Sequence, residues 1–493
     1  MSIARTSSMS MVVSGILGLP VETLSHIFSV LTIMSPVLVG RAHGYSNLGW
    51  IVVTHVCRHW RQVALRNPLL WTEIDTSLIG RARMEIMAEF FSRSQRAPVN
   101  LFHRFPIGDS SIDVTPSLDE QLLLLSEHLS HVKVLDLSCV PGSLEMVADR
   151  LRAPAPLLES LTLQTYLPRD TVPGFKVPVF ALGLSSGDAP KLRSAHLDGL
   201  LFPWACDAMK FLTRLNIQLP YPSPYDPADT ALPSYEQLLA AIESMPHLKV
   251  LLLSNCLPLH PSEESVPPDA FRGRVIHLPR LATLSLEGPV LSCASIASCF
   301  SFPASTRIHL GCPADDNHAE SFRHLLRIIA KHYSGGAAPL RTLIVLSATN
   351  FVQVRAWRFS RMHRGRPIFN DLTTKRPPAL SLSWTWQMDA GWDTVRMMDA
   401  ICTGLPLEGL GTLSVYGGML SSSWTAQTWL DLFGRSQNLK HLRSVGTEIS
   451  YLPRALVMPV IPREQLTGNE YLAMLRDNPL LYVEARNERL SRA

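Results

Sequence analysis

The feature that most constrains this chain is a short apolar pattern that returns between residues 98 and 446. It appears as Val132/Leu135/Leu137, Leu158/Leu161/Leu163, Leu192/Ala195/Leu197, Leu212/Leu215/Ile217 and Leu248/Leu251/Leu253. It continues as Leu281/Leu284/Leu286, Ile308/Leu310, Leu340/Leu343/Val345, Leu380/Leu382, Leu410/Leu413/Val415 and Leu439/Leu442. The last apolar positions of successive sets lie 20–37 residues apart. Each set alternates with polar residues at its end, the mark of a strand with one buried face. A Pro-x-Leu element or a close relative often precedes it, as in PLLESL, PKLRSA, PHLKVL, PRLATL and PLRTL. Helical runs separate the sets at Glu120–Leu129, Tyr235–Met245, Ala319–His332 and Thr425–Phe433. A strand–helix unit this small cannot bury its own apolar face, so successive units must stack. The pattern predicts an α/β region with parallel strands on one side and helices or loops on the other.

This period resembles that of a leucine-rich-repeat solenoid, in a degenerate form spanning residues 98–450. The gaps are uneven, and the Asn or Cys usual after the strand is clear only at Asn255-Cys256. A compact α/β domain with an open parallel sheet is the alternative arrangement. Proline-rich stretches at Pro168–Pro178, Pro220–Pro233 and Pro258–Pro268 read as long surface loops, where binding tends to sit. In a solenoid the residues just after the strand leucines lie at a rim. Asp198, Asn255, Glu287 and Tyr416 are therefore candidate target contacts.

A different pattern occupies Leu19–Asp75. Leu24, Ile27, Phe28 and Leu31 fall on one face of an amphipathic helix, with Pro20 at its start and Glu22 in its first turn. Val56, Trp60 and Val63 repeat the pattern, Asn67-Pro68 ends it, and Leu69–Trp71 form an apolar hook. A module of roughly 50–60 residues is marginal alone, so its apolar residues need a second surface. The order LP-x-E-x-L-x-x-I-F, V-C-x-x-W-R and N-P-x-L-W resembles an F-box, in the long-looped form common in fungal F-box-like proteins. The resemblance implies an all-helical module at 16–76 that docks a Skp-family adaptor, and through it a cullin. It assigns that contact to Leu19, Pro20, Leu24, Ile27, Phe28, Leu31, Val56, Trp60, Leu70 and Trp71. Residues 1–15 read as a disordered tail, 77–97 as a linker helix with Met84, Met87, Phe90 and Phe91 on one face, and 451–493 as a cap or tail containing the amphipathic Glu464–Leu475.

Composition narrows the function class. A net charge of +4 on 493 residues makes no case for bulk nucleic-acid binding. Eight scattered cysteines and the lack of any N-x-Ser/Thr site fit free thiols in the cytoplasm or nucleus. No apolar run reaches the length of a membrane span. The one G-x-S-x-G, at Gly183–Gly187, is followed by Asp188-Ala189-Pro190 rather than a helix start, so Ser185 reads as a turn residue. His55, Cys57 and His59 lack a fourth ligand, and Cys293, Cys299, Cys312 and His318 are too dispersed for zinc. No catalytic residue, metal or cofactor is expected.

One charged stretch stands out. Arg355–Arg366 carries five arginines and no acid, interleaved with Trp357 and Phe359. It reads as a solvated loop or outer helix. Its functional alternative is a contact for an acidic or phosphorylated target through Arg355, Arg358 and Arg361. The sequence thus predicts a non-catalytic substrate adaptor of a Skp-cullin-F-box type ubiquitin ligase, or else a repeat-array interaction scaffold outside any ligase.

Overall fold

A computed structural model of the chain describes residues 18–39, 46–76, 83–105, 118–140, 153–165, 189–200, 207–219, 232–258, 274–313, 319–334, 338–348, 351–359, 377–385, 394–417, 426–436, 438–445 and 482–486, with a few short pieces between them. The expected tail at 1–15, the proline-rich stretches for the most part, Ser185, His318, Arg361 and Glu464–Leu475 lie outside the described residues. The chain divides into two compact units, Met1–Ala231 and Leu232–Ala493.

The first unit begins with helix α1 (Val21–Met34), the two-residue antiparallel pair β1 (Leu38–Val39) and β2 (Ser46–Asn47), and a 3-10 segment at Gly49–His55. Helix α2 (Arg58–Arg66) and a second 3-10 turn, Pro68–Trp71, lead into β3 (Glu73–Asp75). Then come α3 (Arg83–Ser94), β4 (Val99–Arg104), α4 (Leu118–His128), β5 (Val132–Cys139), β6 (Ser160–Thr165), β7 (Ser194–Asp198) and β8 (Arg214–Gln218). Strands β3 to β8 pair in chain order, every pair parallel. The N-terminal module is therefore not all-helical. Ile74, 1% exposed between two acids, makes a strand too short to read from sequence, and its pairing with β4 ties the module to the sheet.

The second unit opens with α5 (Tyr235–Glu243), started by a reciprocal cap: Gln237 N–H donates to Ser234 Oγ, and Ser234 N–H to Gln237 Oε1. It continues with β9 (Val250–Ser254), β10 (Ile276–His277), β11 (Thr283–Glu287), α6 (Val290–Ser298), β12 (Phe300–Ser301), β13 (Arg307–Pro313) and α7 (Ala319–Ser334). Next are β14 (Thr342–Ser347), β15 (Phe351–Trp357), the small pair β16 (Met362–His363) and β17 (Arg366–Pro367), β18 (Leu380–Thr385), α8 (Thr394–Gly404), β19 (Thr412–Gly417), α9 (Ala426–Arg435), β20 (His441–Val445) and β21 (Tyr482–Arg486). The main sheet runs β9-β11-β13-β18-β15-β14-β19-β20-β21. All neighbours are parallel except β15, which is antiparallel to both β14 and β18. Helices α6 to α9 pack in succession.

The leucines that define the repeat are buried throughout, from Leu135 to Leu442. The turn before the strand has a common geometry, with or without the proline. The N–H of Leu158, Leu192, Leu212, Leu248, Leu281, Leu410 and Leu439 each donates to the carbonyl three residues earlier, at 3.0–3.1 Å. This turn tucks the first leucine under the strand that follows. After the strand the backbone bends again: Gly199, Asn255 and Gly288 each take a positive φ and donate N–H to the next strand in the sheet. At Gly199 a Cβ would lie 1.9 Å from Thr165 Oγ1, so only glycine fits.

Candidate functional site

The N-terminal module is held by a small aromatic core. Leu24 and Phe28, four residues apart on α1, are both 0% exposed, and Phe28 meets the Trp60 ring edge-on at 5.3 Å. Gly49 lets the loop return against α1. Its φ is +53°, and a Cβ there would sit 2.3 Å from the Pro36 carbonyl oxygen. Trp50 N–H then donates to the Ser35 carbonyl at 2.7 Å. Cys57 begins α2 by accepting from Trp60 N–H through its sulfur at 3.4 Å. Asn67 Oδ1 accepts from Leu69 N–H and shapes the hook, which buries Leu70 and Trp71. Trp71 Nε1–H donates to the Ala64 carbonyl at 3.0 Å. Its ring packs edge-on against Trp50 at 4.8 Å and Phe90 of α3 at 5.0 Å, with the Arg93 guanidinium 4.2 Å from its centre.

The ten residues assigned to adaptor contact therefore separate into two groups. Leu24, Phe28, Leu70 and Trp71 form the core and support the surface from below, because helices this short need their largest apolar side chains inside. Pro20, Ile27 and Val56 are exposed, and Leu19, Leu31 and Trp60 are half-buried. Sequence periodicity did not single out Val21, Val30, Ile33, Met34, Leu48, Val52, Leu65 and Leu69, which are also exposed. Among the described residues, ten of the fifteen exposed large apolar side chains lie between Val21 and Leu69. Ile33 and Met34 are on the surface because α1 runs to Met34, three residues past the periodic stretch ending at Leu31.

The predicted target contacts fall elsewhere. Asp198 ends β7, where burial pushes its carboxyl up and nearby His196 opposes the shift. Asn255 turns the chain with φ 56° and donates N–H to the Glu287 carbonyl. The Glu287 carboxylate accepts from Ser254 Oγ and lies 3.4 Å from His309 Nε2. The His309 contact holds it below the usual carboxylate range, against the effect of burial. Glu287 and Tyr416 share one row across the second sheet, joined through Gly311, Ser383, Gln353 and Leu346.

Arg355 lies within a strand, opposite Ser381 and Ile344. The reading of this stretch as a loop or outer helix is thus corrected for its first part. Val352, Val354 and Ala356 are 0% exposed and Trp357 1%, and the arginine-rich sequence beyond them masked their alternation. Arg358 follows the strand and stacks 5.2 Å from the Tyr333 ring of α7.

Among the described residues no group of three or more His, Cys, Asp or Glu could hold a metal ion. Seven described cysteines form no disulfide, and burial raises the Cys139 and Cys256 thiols to about 12. Compared with known families, residues 16–77 match the F-box-like model. A search of curated proteins finds no match to the chain. The aromatic core and its exposed apolar surface at the N-terminus are those of an F-box-like domain.

Proposed function

We propose that this chain is the substrate-recognition adaptor of a Skp-cullin-F-box type ubiquitin ligase. The observation that carries the reading is the set of exposed apolar side chains on α1 and on residues 49–56, among them Ile27, Val30, Val52 and Val56, within a domain that matches the F-box-like family. The F-box-like domain docks a Skp-family adaptor, which links it to a cullin. The sheets hold the target, and other subunits transfer ubiquitin. The leucine-rich-repeat-like reading of the sheets is supported by the turn geometry that recurs before strands in both units. No helix among the described residues is long and apolar enough to cross a membrane, and the proposed place of action is the cytoplasm, the nucleus or both.

A scaffold outside any ligase is the second reading. It is favoured by the commitment of Trp71 and β3 to α3 and β4. Capture of the tagged full chain from extract, followed by mass spectrometry, distinguishes the two. Recovery of a Skp-family adaptor and a cullin, lost in a Leu19→Ala/Pro20→Ala variant, is the expected result. Undiminished recovery by that variant would sink the assignment of the docking face.

A further inference from the structure

Arg358 poses a problem that its neighbours do not solve. Its Nε and Nη2 are buried with no hydrogen-bond partner, and so is Nε2 of His332. Buried polar groups are nearly always satisfied; Arg358 reaches the Tyr333 hydroxyl, and its other two edges call for an acceptor from outside the described side chains. The two side chains sit together. His332 and Tyr333 end α7, Arg358 lies over the Tyr333 ring, and the Phe302 ring is 4.6 Å from His332. Tyr333 is fixed by donating its hydroxyl to the Ala379 carbonyl at 3.0 Å.

The backbone presenting Arg358 is also fixed. The Trp357 carbonyl accepts from Arg341 N–H at 2.7 Å, and the Phe359 carbonyl accepts from Thr342 Oγ1 at 3.0 Å. The end of α7 offers a partial negative charge that suits a cation. It gives no hydrogen bond to Nε or Nη2. These are two edges of the guanidinium fork, the part suited to an oxyanion. His332 also feels this cation: burial lowers its pKa, and the charge of Arg358 lowers it further. The surrounding sequence is cationic as well, with five arginines and no acid from Arg355 to Arg366.

We infer that Arg358 and His332, walled by Tyr333 and Phe302, form an oxyanion subsite for a phosphorylated or acidic side chain of the target. The inference rests on the reading of this unit as target-holding. It replaces a flat arginine patch with one cluster at the end of α7, over which Arg358 lies.

The full chain is heated with inorganic phosphate, then with chloride at equal ionic strength. Phosphate should raise the unfolding midpoint of the parent chain and leave Arg358→Gln unmoved. Three short peptides differing only in phosphoserine, aspartate or serine at one position are then titrated. The phosphoserine or aspartate peptide should bind on the order of tenfold more tightly than the serine peptide, and whichever binds best names the source of the oxyanion. Arg358→Lys, which keeps the cation over Tyr333 but loses the fork, should retain only part of the effect and covers the case in which Arg358→Gln does not fold. Equal shifts in parent and both variants, or no preference over the serine peptide, would overturn the subsite. Adaptor capture, measured in parallel, separates the two ideas: its absence in the parent chain counts against the ligase reading, and phosphate results count only for or against the oxyanion subsite.

Discussion

The six strands of the first unit enter their sheet in chain order, whereas the nine of the second do not. In the first, each strand pairs with its predecessor, and the chain has only to turn and return. In the second, β14 is set apart from β13 by two positions, β15 folds back beside it antiparallel, and β18 fills the remaining place. The same buried leucines and pre-strand turns occur in both. Local repeat chemistry therefore fixes what each strand looks like without fixing which strand it meets. The reversed strand also has a functional consequence. It sends Arg355 into the sheet row and carries Arg358 on to the end of α7.

The largest expected effect tests that reversed strand. Val354 is 0% exposed between β14 and β18. Val354→Asp buries a charge without a partner and should cost about 3–5 kcal/mol in denaturant unfolding. A change within about 0.5 kcal/mol, typical of exposed positions, would return this stretch to a loop.

The turns give a pair of opposite signs. Gly199 in the first unit has φ +74° and no room for a Cβ beside Thr165, so Gly199→Ala should cost about 1–3 kcal/mol. Gly411 in the second has its nearest atom at 3.7 Å, an ordinary contact. Gly411→Ala should be neutral or stabilise by about 0.4–1 kcal/mol. Equal effects at both sites would mean that the post-strand bend is not a constraint.

Acid should weaken both units. His128 stacks on Phe91 at 4.3 Å, and His131 meets the same ring edge-on. Burial lowers the pKa of both, Glu127 opposing it at His128 and His128 adding to it at His131. The folded state thus binds fewer protons than the unfolded chain. Stability is fully present above the ordinary histidine value of 6.5 and falls as pH drops through and below it. His332 contributes in the same direction in the second unit. His128→Phe keeps the stack and removes one titrating group, so its unfolding midpoint should fall less between pH 7 and pH 5. An unchanged pH profile would remove His128 from the account.

How much of this was legible follows from periodicity. The repeat strands were readable because each buries one face, and α5, α7 and α9 because they are amphipathic. Helix α6 was not: Val290 to Ala297 are all buried, so it has no polar side to set a period. Strand β21 stands where only a cap or tail was expected, paired with β20. In the F-box-like domain the motif identified the module but mixed two roles. Phe28 and Ile27 are adjacent in sequence, yet one is 0% and the other 36% exposed. A family pattern records both core and contact residues, and only the packing separates them.

That separation yields the smallest expected change in stability and the sharpest functional one. Ile27 and Val56 are 36% and 54% exposed, so Ile27→Asp/Val56→Asp should alter unfolding by no more than about 0.5 kcal/mol per site. The deciding measurement is calorimetric titration of a purified Skp-family adaptor into the full chain and into this double variant. Anchors at an interface cost about 2–4 kcal/mol when lost. The account predicts saturable binding by the parent chain and none detectable by a variant that still unfolds cooperatively at the parent midpoint. Equal affinity of the two proteins, or no binding by either, would contradict it.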